Sequence, residues 1–122
     1  KLLEKEIKTT GQPHSIHLTA DRTRIKADGK DLSYITVEVL DKDGLTVPTA
    51  NTLIHFDIEG EGIIAGTDNG NPNDTISLKK PERELFNGKA IAIIQSAKKQ
   101  GQIALTAKSE GLKSTTILLE TL

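Results

Sequence analysis

Cysteine, methionine and tryptophan are absent from this chain, and one tyrosine and two phenylalanines are its only aromatics. Without cysteine there is no disulfide, no thiolate nucleophile and no thiolate metal site, so a packed core alone must hold the fold. The compartment stays open, because secreted bacterial β-domains often lack cysteine. Without methionine, an initiator included, the chain is expected to be a piece of a longer protein or a processed product. Neither charge predominates: 16 Lys and Arg stand against 17 Asp and Glu, evenly scattered. Nucleic acid and anionic membranes need a basic stripe for counterion release, so neither is expected as a partner. No apolar run approaches the roughly 20 residues that cross a bilayer, and no charged-then-apolar leader pattern opens the sequence.

What is present is a repeating two-residue period. In Leu32 to Asp41 (LSYITVEVLD), Ile35, Val37 and Val39 alternate with Thr36 and Glu38. Only an extended strand sends alternate side chains to opposite faces, so this stretch is expected to be the central, half-buried strand. Turns marked by Gly29 and Gly44 bound it. From His14 the same period puts His14, Ile16, Leu18 and Ala20 on one face and Ser15, His17 and Thr19 on the other. Asp21 to Ile25 is expected to be a kink passing the edge strand from one sheet to the other. Ile54, Phe56 and Ile58 face in from Leu53 to Glu59, with His55, Asp57 and Glu59 outward. Gly60, Gly62, Gly66 and Gly70 leave room for only a very short strand, Ile63 to Ala65. Thr67 to Asp74 (TDNGNPND) reads as a loop, with another short strand at Thr75 to Lys79.

Gly88 to Ser96 (GKAIAIIQS) is almost continuously apolar, as a strand covered on both faces would be. Gln102 to Lys108 and Lys113 to Glu120 follow, with Ile103, Leu105 and Ala107, then Thr115, Ile117 and Leu119, directed inward. The sum is about seven strands at intervals of roughly 8 to 12 residues and no credible helix. The expected fold is therefore an all-β, immunoglobulin-like antiparallel β-sandwich with Greek-key connections, spanning residues 14–122. Residues 1–13, charged and ending in Gly-x-Pro, read as a linker or interdomain segment.

Five stretches, taken in order, carry a resemblance: ADGKDL (27–32), VLDKDGLTVPTA (39–50), FDIEGEGIIAGTDNGNP (56–72), FNGKAIAIIQS (86–96) and GQIALTAKSEGLKS (101–114). Together they resemble the C-terminal immunoglobulin-like domain of bacterial family 2 glycoside hydrolases of the β-galactosidase type, as in Bacteroides-like bacteria, over about Ser15 to the end. The resemblance implies a parent enzyme, periplasmic or extracellular, whose two catalytic glutamates sit in a separate (β/α)8 barrel. None of the barrel motifs is present. It thus implies a non-catalytic accessory domain without cofactor, whose partners are the other domains of its glycosidase.

Each candidate site has a plainer competitor. A retaining glycosidase needs two carboxyl groups about 5 Å apart around a sugar pocket; Glu59 and Glu61 are the nearest pair, but they flank a glycine with no aromatic floor. Carbohydrate binding would rest on Tyr34, since strand parity buries Phe56. Asp68, Asn71 and Asp74, with Asn69 and Asn73, offer oxygens for calcium, yet side chains of this kind also cap tight loops and the D-x-D-x-D-G register is missing. His55, Asp57 and Glu59 share an outward face that suits a metal or plain solvation. Ile91 and Ile93, directed away from the core, are expected to join Leu118 in one apolar patch that docks a neighbouring domain, unless residues 1–13 fold over it. A carbohydrate-binding module and an adhesin-type surface domain are the alternatives to the accessory role.

Overall fold

A computed structural model of the chain describes residues 11–47, 52–69, 82–86 and 88–122. Among them are nine strands: β1 (Ser15–Ala20), β2 (Arg24–Ile25), β3 (Leu32–Leu40), β4 (Leu53–Gly60), β5 (Gly62–Asp68), β6 (Glu82–Glu84), β7 (Lys89–Ser96), β8 (Gly101–Lys108) and β9 (Thr115–Thr121). They form two facing sheets, ordered β1-β3-β7-β5 and β2-β9-β8-β4-β6. Among the described residues every strand pair is antiparallel except β2 with β9, and a single parallel bridge joins Ser15 to Lys113. The result is the expected immunoglobulin-like sandwich.

The alternation in the sequence dictates what lies between the sheets. Ile16, Leu18, Ile35, Val37, Val39, Ala90, Ala92 and Ile94 descend from the first sheet, and Ile54, Phe56, Ile103, Leu105, Ala107 and Leu119 rise from the second; all are buried. Each large aliphatic side chain withdrawn from water in this way contributes about 1.5–3 kcal/mol. The turn after β3 is built on Asp41, whose carboxylate accepts from the backbone N–H groups of Gly11 (2.9 Å), Asp43 (2.9 Å) and Leu45 (3.0 Å). These bonds, Gly11's first, hold its pKa below the usual carboxylate range. Gly44 follows with φ +83, as a left-handed turn position requires.

The expected kink is present. Its backbone leaves the first sheet at β1 and enters the second at β2 across Asp21, Arg22 and Thr23. One expectation is corrected and one strand is added. β5 runs seven residues rather than three, because the glycines in it do not end the strand: Gly62 lies where a Cβ would stand 2.6 Å from Ile103 Cδ1, and a register shift between Ile64 and Gly66 absorbs one extra residue. The charged Glu82–Glu84 segment is also a strand, pairing with β4. The strand expected at 75–79 lies outside the described residues, as do residues 1–10 of the expected linker.

Candidate functional site

Glu59 and Glu61 flank Gly60 where the chain changes sheet. Glu59 is exposed on the outer face of the second sheet, opposite Ala104 of β8. Glu61 is half-buried in the crossing itself, close enough that a Cβ at Gly101 would lie 2.7 Å from its Cγ. Its backbone N–H donates to the Gln102 carbonyl (2.9 Å) and its carbonyl accepts from the Ala97 N–H (2.9 Å). The crossing thus uses Glu61 to join the sheets.

The outer face of the second sheet is polar and internally paired. His55 Nδ1 lies 3.1 Å from Glu82 Oε2, Lys108 Nζ lies 2.7 Å from Asp57 Oδ2, and Arg24 Nε lies 3.4 Å from Glu120 Oε1. The Thr106 and Thr116 hydroxyls are hydrogen-bonded at 2.9 Å. The hydrogen bond from Lys108 to Asp57 raises the lysine pKa above its ordinary value. An open depression of about 390 Å³ is lined by Asp57, Ile58, Glu59, Thr106 and Lys108. His55, Asp57 and Glu59 do share this face, but His55 and Asp57 turn to different partners. Among the described residues no group of three or more His, Asp or Glu gathers around a common point.

Of the calcium candidates, Asp68 ends β5, with its Oδ1 accepting from the Asn69 N–H at 2.8 Å, while the Asn69 side chain donates to the Glu84 carbonyl at 2.7 Å. Both contacts are of the loop-capping kind. Asn71, Asn73 and Asp74 lie outside the described residues.

The apolar candidates separate. Ile91 and Ile93 are on the outer face of the first sheet, Ile91 being 38% exposed and Ile93 half-buried. Leu118, 56% exposed, is on the outer face of the second sheet, opposite Ala104. The whole sandwich stands between them, so the three do not form one patch. What adjoins Ile91 and Ile93 is Tyr34, 43% exposed and directly across from Ile93, and Ile63, 58% exposed, across from Gln95. β7 is accordingly covered on one face by the core and left partly open on the other.

Arg83 was not foreseen. It is fully buried at the β5–β6 side of the sandwich, where its Nε donates to Thr67 Oγ1 at 3.2 Å and that hydroxyl lies 3.3 Å from the Glu82 carbonyl. Its signal in the sequence is the alternation Glu82-Arg83-Glu84-Leu85, which assigns Arg83 the inward phase between two outward glutamates.

Residues 16–118 match a protein family described as glycoside hydrolase family 2 C-terminal domain 5. The chain belongs to this family. This family 2 domain is 50% identical over 110 residues to the β-galactosidase BoGH2A of Bacteroides ovatus, a match covering 90% of the chain and 13% of that enzyme. It is 33% identical over 117 residues to a β-glucuronidase of Formosa agariphila, covering 93% of the chain and 12% of the relative. The domain therefore spans about an eighth of the length of these curated relatives. Among solved structures, a glycosyl hydrolase family 2 member from Bacteroides cellulosilyticus superposes with TM-score 0.92 at 37% identity, covering 95% of this chain and 15% of that one. The D00-D0 domain of intimin superposes with TM-score 0.65 at 22% identity over 94% of the family 2 domain and 50% of that chain, a likeness of fold alone.

Proposed function

We propose that this chain is a non-catalytic accessory domain of a β-galactosidase-like family 2 glycoside hydrolase. It supports the shape or assembly of an enzyme that cleaves O-glycosidic bonds in the periplasm or outside the cell, with the hydrolysis carried out elsewhere in the parent polypeptide. The observation that carries this reading is the 50% identity to a segment making up 13% of a β-galactosidase. The side-chain chemistry supports it: the inward rows are consumed in the core, and Asp57 and Glu82 are engaged in pairs with Lys108 and His55.

The purified chain, incubated with nitrophenyl β-galactoside and β-glucuronide, is expected to release no nitrophenol above the blank. Deleting the domain from the parent enzyme is expected to lower its thermal unfolding temperature. Hydrolysis by the chain alone would overturn the proposal. Tyr34, 43% exposed beside Ile93, favours carbohydrate binding as a second reading. Retardation of the chain in a polysaccharide affinity gel, abolished by Tyr34→Ala, is the outcome that reading requires.

A further inference from the structure

The outer face of the first sheet gathers Tyr34, Ile63, Ile91 and Ile93 beside the polar Thr36, Glu38 and Lys89, whereas that of the second is mostly polar around the lone large apolar Leu118. Tyr34 of β3 stands directly across from Ile93, and on the other side of β7 the residue across from Ile93 is Gly66 of β5, which has no side chain to cover the isoleucine. Thr36, Ile91 and Asp68 form the next row, and Ile63 lies diagonal to Ile93, within the reach of long side chains. Beside these rows a depression of about 210 Å³, lined by Thr36, Asp68, Asn69, Lys89, Ala90 and Ile91, is wide enough to take one apolar side chain. β-branched residues favour any strand, but that preference does not distinguish the two sheets. Tyr34 and Ile91 remain open to water on the two inner strands of this face and Ile63 on its edge strand β5, whereas the second sheet carries Asp57, Thr106 and Thr116 beside Ala104 and Leu118.

We propose that the face formed by Tyr34, Ile63, Ile91 and Ile93 docks a neighbouring domain of the same polypeptide, which presents an aliphatic or aromatic side chain to the depression beside Ile91. The inference rests on the reading of the chain as one domain of a longer glycosidase, and it identifies the surface through which that domain is held. The occupant follows from the relatives' length and from the size of the patch. About seven-eighths of each related polypeptide lies outside the matched segment. Tethering sets an effective concentration on the order of 1 mM, so a contact with an intrinsic dissociation constant of about 0.1 mM stays closed about nine-tenths of the time. A second free copy has no such help, and four partly covered side chains fall well short of the roughly 800 Å² per partner that a stable dimer buries.

Leu118 provides an internal control, being 56% exposed on the opposite face against 58% for Ile63. Hydroxyl-radical footprinting of the full-length parent enzyme, corrected for intrinsic reactivity, is expected to label Ile63 and Tyr34 about tenfold more slowly than a free side chain, with Leu118 labelled at close to the free rate. Ile63→Lys, on an exposed strand face where it leaves the core untouched, is expected to return Tyr34 to near the free rate, and Leu118→Lys is expected to leave Tyr34 protected. Equal labelling of Ile63 and Leu118 would overturn the proposal. So would protection that vanishes on dilution, which assigns the face to a second copy, or protection lost when residues 1–10 are replaced by a Gly-Ser tether, which assigns it to the chain's own leading segment. Failure of the accessory reading would appear separately, as glycoside hydrolysis by the isolated chain.

Discussion

The two shortest changes of sheet among the described residues, between β1 and β2 and between β4 and β5, are made by different physics. Between β1 and β2 the chain has three residues to cross with, and polar side chains hold them. The Asp21 N–H donates to the Tyr34 carbonyl in the first sheet (3.0 Å), and the Thr23 carbonyl accepts from the Glu120 N–H in the second (2.8 Å). Asp21 Oδ1 also accepts from the Tyr34 N–H (2.8 Å), and the buried Ser33 hydroxyl donates to the Arg22 carbonyl (2.5 Å). Between β4 and β5 only Glu61 separates the strands, and backbone alone makes the turn. Gly60 takes φ +99, and a Cβ there would fall on the carbonyl oxygen of Gln102, the atom that accepts from Glu61 N–H. A crossing with room is held by replaceable hydrogen bonds. A crossing without room is held by the absence of a side chain.

The sharpest way to break this comparison is Gly60→Ala. It imposes both a left-handed backbone on a residue with a Cβ and a collision with backbone that cannot swing aside, for an expected loss of about 3–5 kcal/mol. The urea midpoint, at unchanged m, measures it. Asp21→Ala removes acceptors at the roomier crossing and is expected to cost about 1–1.5 kcal/mol. Equal losses for the two variants would mean that the crossings are not different in kind.

Acid sharpens the same contrast. Beside the first crossing, Arg22 Nη2 lies 2.5 Å from Asp31 Oδ1, and this bond, with the Lys26 and Leu32 N–H groups, holds the Asp31 carboxyl down at about 2. Backbone N–H groups of Lys30 and Asp31 lower Asp28 likewise. A carboxylate whose folded pKa is depressed contributes stability that is present above its ordinary value near 4 and is lost as pH falls toward 2. The thermal midpoint is therefore expected to fall across that window, with a shallower fall in Asp31→Asn. The smallest effect is expected from Arg24→Ala on β2: the Arg24–Glu120 pair has side-chain exposures of 71% and 50%, and its loss should change the urea midpoint by no more than about 0.5 kcal/mol equivalent.

Much of the fold was legible because burial follows a local period. The inward rows of β3, β4, β7, β8 and β9 could be named residue by residue, and the change of sheet near Asp21 was marked by a polar break in an otherwise alternating segment. β5 was harder, because Gly62 and Gly66 look like strand breakers until Ile103 and the bulge opposite β7 show why they are there. Arg83 was overlooked because a short charged segment resembles a surface loop, even though its alternation was visible. The docking candidates were half legible: Ile91, Ile93 and Leu118 all carry the outward phase, but phase does not say which outside.

The sequence by itself determined that this is a two-layer β domain, which side chains point inward, and the family to which its turn-and-strand motifs belong, because alternation is a property of the extended backbone and needs no partner strand. Tertiary structure alone decided that Leu118 and Ile91 look out from opposite sides, that Tyr34 and Ile63 complete the apolar face, and that Gly60 admits no side chain. Those facts follow from which distant strands pair, and strand pairing is set by contacts between residues far apart in the chain.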